Sequence, residues 1–96
     1  MSKLPNQPPS RKNLTGAAIR RVRVRSKRKI TQEDLVGRLA VQELFLTQAQ
    51  IAKIESGTRP VKDYELIAIA KALRVSVQTI IDETLKAERQ RQQGKA

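Results

Sequence analysis

The sequence predicts an all-α domain of five short helices, and three observations carry that expectation. Two threonines sixteen residues apart, Thr31 and Thr47, each open a complete helix-start signal. Apolar residues follow each signal at helical spacing. The 96 residues are 39% apolar, enough for one modest core and for a single domain.

The first helix is the one with a rival. The run Arg20-Arg-Val-Arg-Val-Arg25 alternates like an edge strand. Four other helices leave no sheet for a lone strand to join, so a helix is preferred. It gathers Ile19, Val22, Arg23 and Ser26 on one face, where the arginine must find a carboxylate or leave the core. The second helix covers about 32–41. Thr31 caps the backbone N–H of Asp34, whose carboxylate reaches back, with Ile30 and Leu35 as the hydrophobic staple.

The third helix, about 48–56, repeats the device with Thr47, Gln50, Leu46 and Ile51, and Gly57 stands where a left-handed residue ends it. In the fourth, about 63–73, Leu66, Ile69, Ala70 and Leu73 form one stripe. Arg74 then holds a position suited to glycine, which implies strain. Ser76 caps a fifth helix whose expected inner face is Val77, Ile80, Ile81 and Leu85. Residues 1–12, with Pro5, Pro8 and Pro9, read as a flexible basic tail, 13–85 as the folded domain, and 86–96 as a polar tail or helix extension.

Composition narrows the function. Twenty Lys+Arg against nine Asp+Glu give a formal charge of +11, which points to a polyanionic partner. Residues 1–30 hold ten of those cations and no acid. Cysteine and histidine are both absent, so thiolate chemistry, disulfides, imidazole bases and the usual zinc ligands are excluded. The acids form no catalytic constellation, so neither an enzyme nor a cofactor or metal is expected. Only Phe45 and Tyr64 are aromatic, too few to stack single-stranded bases, which favours double-stranded DNA. No apolar run approaches a membrane span of roughly 18 residues, and Met1 to Lys12 holds no secretion signal; a cytoplasmic protein is expected.

At three stretches the residues become familiar: Ile30-Thr-Gln-Glu-Asp-Leu35, Thr47-Gln-Ala-Gln-Ile-Ala-Lys-Ile-Glu-Ser-Gly57 and Glu65-Leu-Ile-Ala-Ile-Ala-Lys-Ala-Leu73. Over about Asn13 to Leu85 the chain closely resembles the phage-repressor/Cro-like, or XRE-type, helix-turn-helix family. That resemblance implies a lambda-repressor-like bundle whose third helix enters the major groove. The turn before it is longer than the family's usual one by about Val41 to Phe45, like a subset of the family. Leu44 and Phe45 are expected to pin this insertion to the core; exposed, they would mark a partner surface.

Carried over by position, Gln48, Ala49, Gln50 and Lys53 face the bases. A glutamine amide matches adenine N7 and N6, alanine can touch a thymine methyl, and lysine can reach guanine or a phosphate. The plain alternative is a solvated helix face. Gln32, Thr47, Thr58 and Arg59 are the implied phosphate contacts, although Gln32 also suits a first helical turn and Thr58–Arg59 an ordinary loop. Arg11 and Lys12 are read as an arm along the backbone. Arg23 and Glu55 match a structural ion pair found in parts of the family. The function implied is a transcriptional regulator, as repressor, dimeric through the last helix from Ile81 to Gln92. The alternatives are an antitoxin-type module that binds a protein partner, and non-specific nucleic-acid packaging.

Overall fold

The computed structural model describes residues 11–93, so the first ten residues of the expected N-terminal tail and the last three of the C-terminal one lie outside it. The five helices are α1 (Gly16–Arg25), α2 (Gln32–Val41), α3 (Gln48–Ser56), α4 (Asp63–Ala72) and α5 (Val77–Gln93), with no strand among the described residues. Helix α1 packs on α3 and α5, α2 on α3 and α4, and α4 on α5. Ile19, Leu35, Leu39, Ile51, Ile54, Ile69 and Ile80 are fully buried where these contacts meet.

The alternating run is helical. Its register turns Ala18, Ile19 and Arg23 inward and leaves Arg20, Val24 and Arg25 outside. The N-terminus of α1 is closed from three residues upstream: the Gly16 N–H donates to Asn13 Oδ1 at 2.6 Å. Asn13 also donates through Nδ2 to Ile54 O at 3.1 Å and Arg59 O at 2.7 Å, which ties the entry of α1 to the exit of α3.

Both capping boxes form. Thr31 Oγ1 accepts the Asp34 N–H while Asp34 Oδ2 accepts the Thr31 N–H, each at 3.0 Å. The hydroxyl of Thr47 accepts the Gln50 N–H at 3.1 Å, and Gln50 Oε1 accepts the Thr47 N–H at 2.8 Å. All four staple residues, Ile30, Leu35, Leu46 and Ile51, are buried. Gly57 ends α3 at φ 83°, a conformation glycine adopts without steric cost. At α5 the Ser76 hydroxyl accepts the Thr79 N–H at 3.0 Å.

Two expectations about side-chain direction are corrected. Leu85 is 54% exposed and Thr84 is buried in its place, with its hydroxyl donating to Ile80 O at 2.8 Å. Thr84 lies four positions after Ile80, so the two share a face; Leu85 lies about 100° further round. In the connector Gln42–Thr47, Phe45 is 76% exposed rather than pinned to the core. Leu44 and Leu46 turn inward, and alternation along the segment directs Phe45 the other way. The connector is nonetheless anchored: the Leu44 N–H donates to Leu39 O at 3.0 Å, Gln42 Nε2 donates to Ala68 O at 2.9 Å, and Glu43 makes the turn at φ 63°.

Two backbone positions invite opposite mutational outcomes. A Cβ on Gly16 would sit 1.9 Å from Ile54 O, a backbone atom that cannot move aside. Arg74 has φ 61°, the left-handed conformation expected for it. Gly16→Ala will destabilise the fold by about 1–3 kcal/mol through overpacking. Arg74→Gly will stabilise it by roughly 0.5–1 kcal/mol, the left-handed strain relieved less the entropy of the added glycine. Urea unfolding of the two variants checks both signs.

Candidate nucleic-acid interface

Helix α3 has two unlike faces. Ile51, Ile54 and Glu55 are buried, whereas Gln48, Ala49 and Lys53 are exposed and Gln50 is half-buried. The Thr47 cap engages the N–H of Gln50. The first-turn amides have no partner within the helix, so its N-terminal end carries partial positive charge.

Behind that end lies a chain of polar contacts. Arg23 donates from Nε to Glu55 Oε2 at 2.7 Å and from Nη2 to Glu55 Oε1 at 2.9 Å, a bidentate pair, while Nη1 reaches Ile30 O at 2.9 Å. The hydrogen bonds to Glu55 raise the Arg23 pKa further above its ordinary value, so the guanidinium stays charged. Glu55 Oε1 also accepts from Gln32 Nε2 at 3.0 Å, and Gln32 Oε1 lies 3.4 Å from Gln48 Nε2. The first residue of α2 therefore joins the buried ion pair to the first residue of α3. Losing one member of such a pair typically costs ~3–5 kcal/mol, because the other is left charged and buried.

The surroundings are basic. Lys27, Arg28 and Lys29 are exposed on the loop between α1 and α2. A shallow groove of about 420 Å³ runs over the N-terminus of α2, lined by Arg23, Lys29, Thr31, Gln32, Gln48 and the acid Glu33 among others. Helix-end amides beside a lysine in such a groove suit an anionic oxygen.

Not every residue singled out in the sequence is free for a ligand. Thr58 is exposed, its hydroxyl 3.0 Å from Ser56 Oγ and donating to Lys53 O at 3.3 Å. Arg59 instead forks onto Glu65, with both contacts at 3.0 Å, and also donates to Pro60 O. Glu65 is 2% exposed and caps the Lys62 N–H as well, so Arg59 secures the start of α4. Arg11 lies against α5 with its guanidinium on Glu88, while the Lys12 N–H donates to Gly57 O at 2.6 Å and its side chain is exposed. Sequence reasoning missed Asn13, Glu65 and Glu88. Only Glu65 had a local signal, an acid in the third position of its helix.

The Arg59 hydrogen bonds hold the Glu65 carboxyl below its ordinary value of 4.5, and those from Arg11 do the same for Glu88. A carboxylate whose folded pKa is depressed stabilises the fold above its unfolded pKa, and that contribution is lost as pH falls through the folded pKa. Glu65→Gln will therefore be less stable than the parent at pH 7 by about 1–3 kcal/mol. The gap will narrow as pH drops below about 4.5. Denaturant titrations from pH 7 to pH 3 measure it.

A helix-turn-helix family profile matches residues 19–80, from the buried isoleucine of α1 to that of α5. Neither the curated proteins nor the solved structures gave a match. Helices α2 and α3, capped alike and joined by the anchored connector, are the paired helices that this family is named for. The chain belongs to the XRE-type helix-turn-helix family of DNA-binding transcription regulators.

Proposed function

We propose that the protein recognises a specific double-stranded DNA sequence and acts in the cytoplasm as a repressor. The observation that carries this reading is the outward face of α3, where Gln48, Ala49 and Lys53 are exposed on a helix clamped at both ends. In this reading Gln48 pairs with an adenine, Ala49 touches a thymine methyl, and Lys53 reaches a guanine or a phosphate. Gln50 completes the base-facing set. Gln32, Thr47, Thr58 and Lys12 meet the backbone; Arg11 and Arg59 hold the scaffold through Glu88 and Glu65. The exposed residues of α5 beyond Ile81 are the surface through which two copies would read two half-sites, and a dimer on the duplex represses by excluding other proteins.

A second reading has one observation in its favour. Val41 and Phe45 are 84% and 76% exposed, a pair of large apolar side chains suited to a protein partner, as in an antitoxin. A small toxin-like reading frame beside the gene would support it.

Selection of bound sites from random duplexes, followed by binding titrations, tests the primary reading. Gln48→Ala will weaken the selected site by ~1–3 kcal/mol relative to random DNA and leave the melting temperature unchanged. With ~6–10 Lys and Arg side chains of a dimer on phosphates, Lys12, Lys53 and Lys27 to Lys29 of each copy among them, affinity will fall ~10³–10⁵-fold between 50 and 200 mM salt. Equal affinity for every duplex would leave only a charge-driven association.

A further inference from the structure

Gln48 and Gln50 are two positions apart in the same helix turn, yet the structure gives their amides different hydrogen-bonding roles. Gln50 closes the capping box of α3: its Oε1 accepts the Thr47 N–H at 2.8 Å while its own N–H donates to Thr47 Oγ1 at 3.1 Å. An N–H can be accepted only by the amide oxygen, so the orientation of this amide is set, with Oε1 on the cap and Nε2 left over. The side chain is half-exposed, and no buried side-chain nitrogen or oxygen among the described residues lacks a partner. The Nε2 donor group is therefore open to solvent. Gln48 is the reverse case: its Nε2 makes the contact, at 3.4 Å to Gln32 Oε1, and its own oxygen has no role in that contact.

We propose that Gln50 reads DNA as a hydrogen-bond donor only and selects guanine, while Gln48 keeps both donor and acceptor and selects adenine. This rests on the groove contact of α3 proposed above. Guanine presents two adjacent acceptors in the major groove, N7 and O6, which an amide NH₂ can satisfy alone. Adenine presents an acceptor and a donor, N7 and N6, and its amino group would have to share the oxygen that is turned onto the Thr47 N–H, through that oxygen's second lone pair. Guanine leaves the capping bond untouched, whereas adenine would compete with the cap for the same oxygen, which disfavours it at Gln50. A residue that looks like a second adenine reader is thereby given a different specificity by its neighbour.

Gln50→Glu separates the two duties of the side chain. A glutamate at this position of a capping box still accepts the Thr47 N–H, so the melting temperature will hold or rise, but the donor is replaced by an acceptor. Wild-type protein is first used to select duplex sites, and each position of the half-site is then varied in binding titrations. The result expected is one guanine position that wild type prefers by roughly tenfold, and that weakens when 7-deazaguanine removes N7. In Gln50→Glu that preference disappears or moves to a base offering an amino group, while the adenine preference assigned to Gln48 persists. A variant that keeps every wild-type preference, even with a uniform loss of affinity from its added charge, overturns the proposal. So does an adenine preference lost only in Gln50→Glu. Failure of wild type to enrich any sequence is a different result, which removes the proposed function and this inference with it.

Discussion

The buried ion pair between Arg23 and Glu55 is the contact on which the rest of the arrangement depends. An arginine on the inner face of α1 is unfavourable unless its charge and its donors are met. Glu55 supplies two acceptors and Ile30 O a third, at 2.7–2.9 Å. That geometry fixes the last turn of α1 against α3, while at the first turn Gly16 lets the backbone approach Ile54 O without a side chain between them. Glu55 also accepts from Gln32, and Gln32 faces Gln48. One carboxylate thus sets the position of both glutamines at the exposed end of the helix pair. A bidentate pair is suited to this because it restricts orientation as well as distance.

Helix α3 is nine residues long, too short to persist in water on its own propensity. Its rigidity comes from both ends and one face. The capping box with Thr47 starts it, Gly57 stops it, and Ile51 and Ile54 hold its inner face in the core. Asn13 and the Lys12 N–H bind carbonyls at its C-terminal end, bringing the segment before α1 into the same support. Side chains ordered before a ligand arrives lose less entropy on binding, so this bracing contributes directly to recognition.

What was legible in the sequence was local. The caps at Thr31, Thr47 and Ser76, the stop at Gly57 and the strained Arg74 each depend on residues within a few positions, and all stand in the structure. The two faces of α3 were legible through the family resemblance, which set Ile51 and Ile54 inward and Gln48, Ala49 and Lys53 outward. Pairings across the fold were not legible in that way. Arg59 pairs with Glu65 and Arg11 with Glu88, so two cations expected on DNA are held in ion pairs within the fold, and the second pair joins positions 77 residues apart. Phe45 and Leu85 were misjudged for a shared reason. Hydrophobicity tells how much a side chain gains from burial, but the backbone path decides whether it gets there. At Phe45 the path is set by the left-handed Glu43 and the inward Leu44 and Leu46.

In the proposed function the α2–α3 end, and not the wider basic surface, is where DNA sits. Backbone amide shifts followed by NMR during titration with a selected duplex test it most directly. The largest changes will fall on Gln32, Thr47 to Gln50 and Lys53, with the amides of α5 little affected except where two copies meet. Largest changes confined to the exposed cations Arg20, Arg25 and Lys27 to Lys29, with α3 silent, would contradict it.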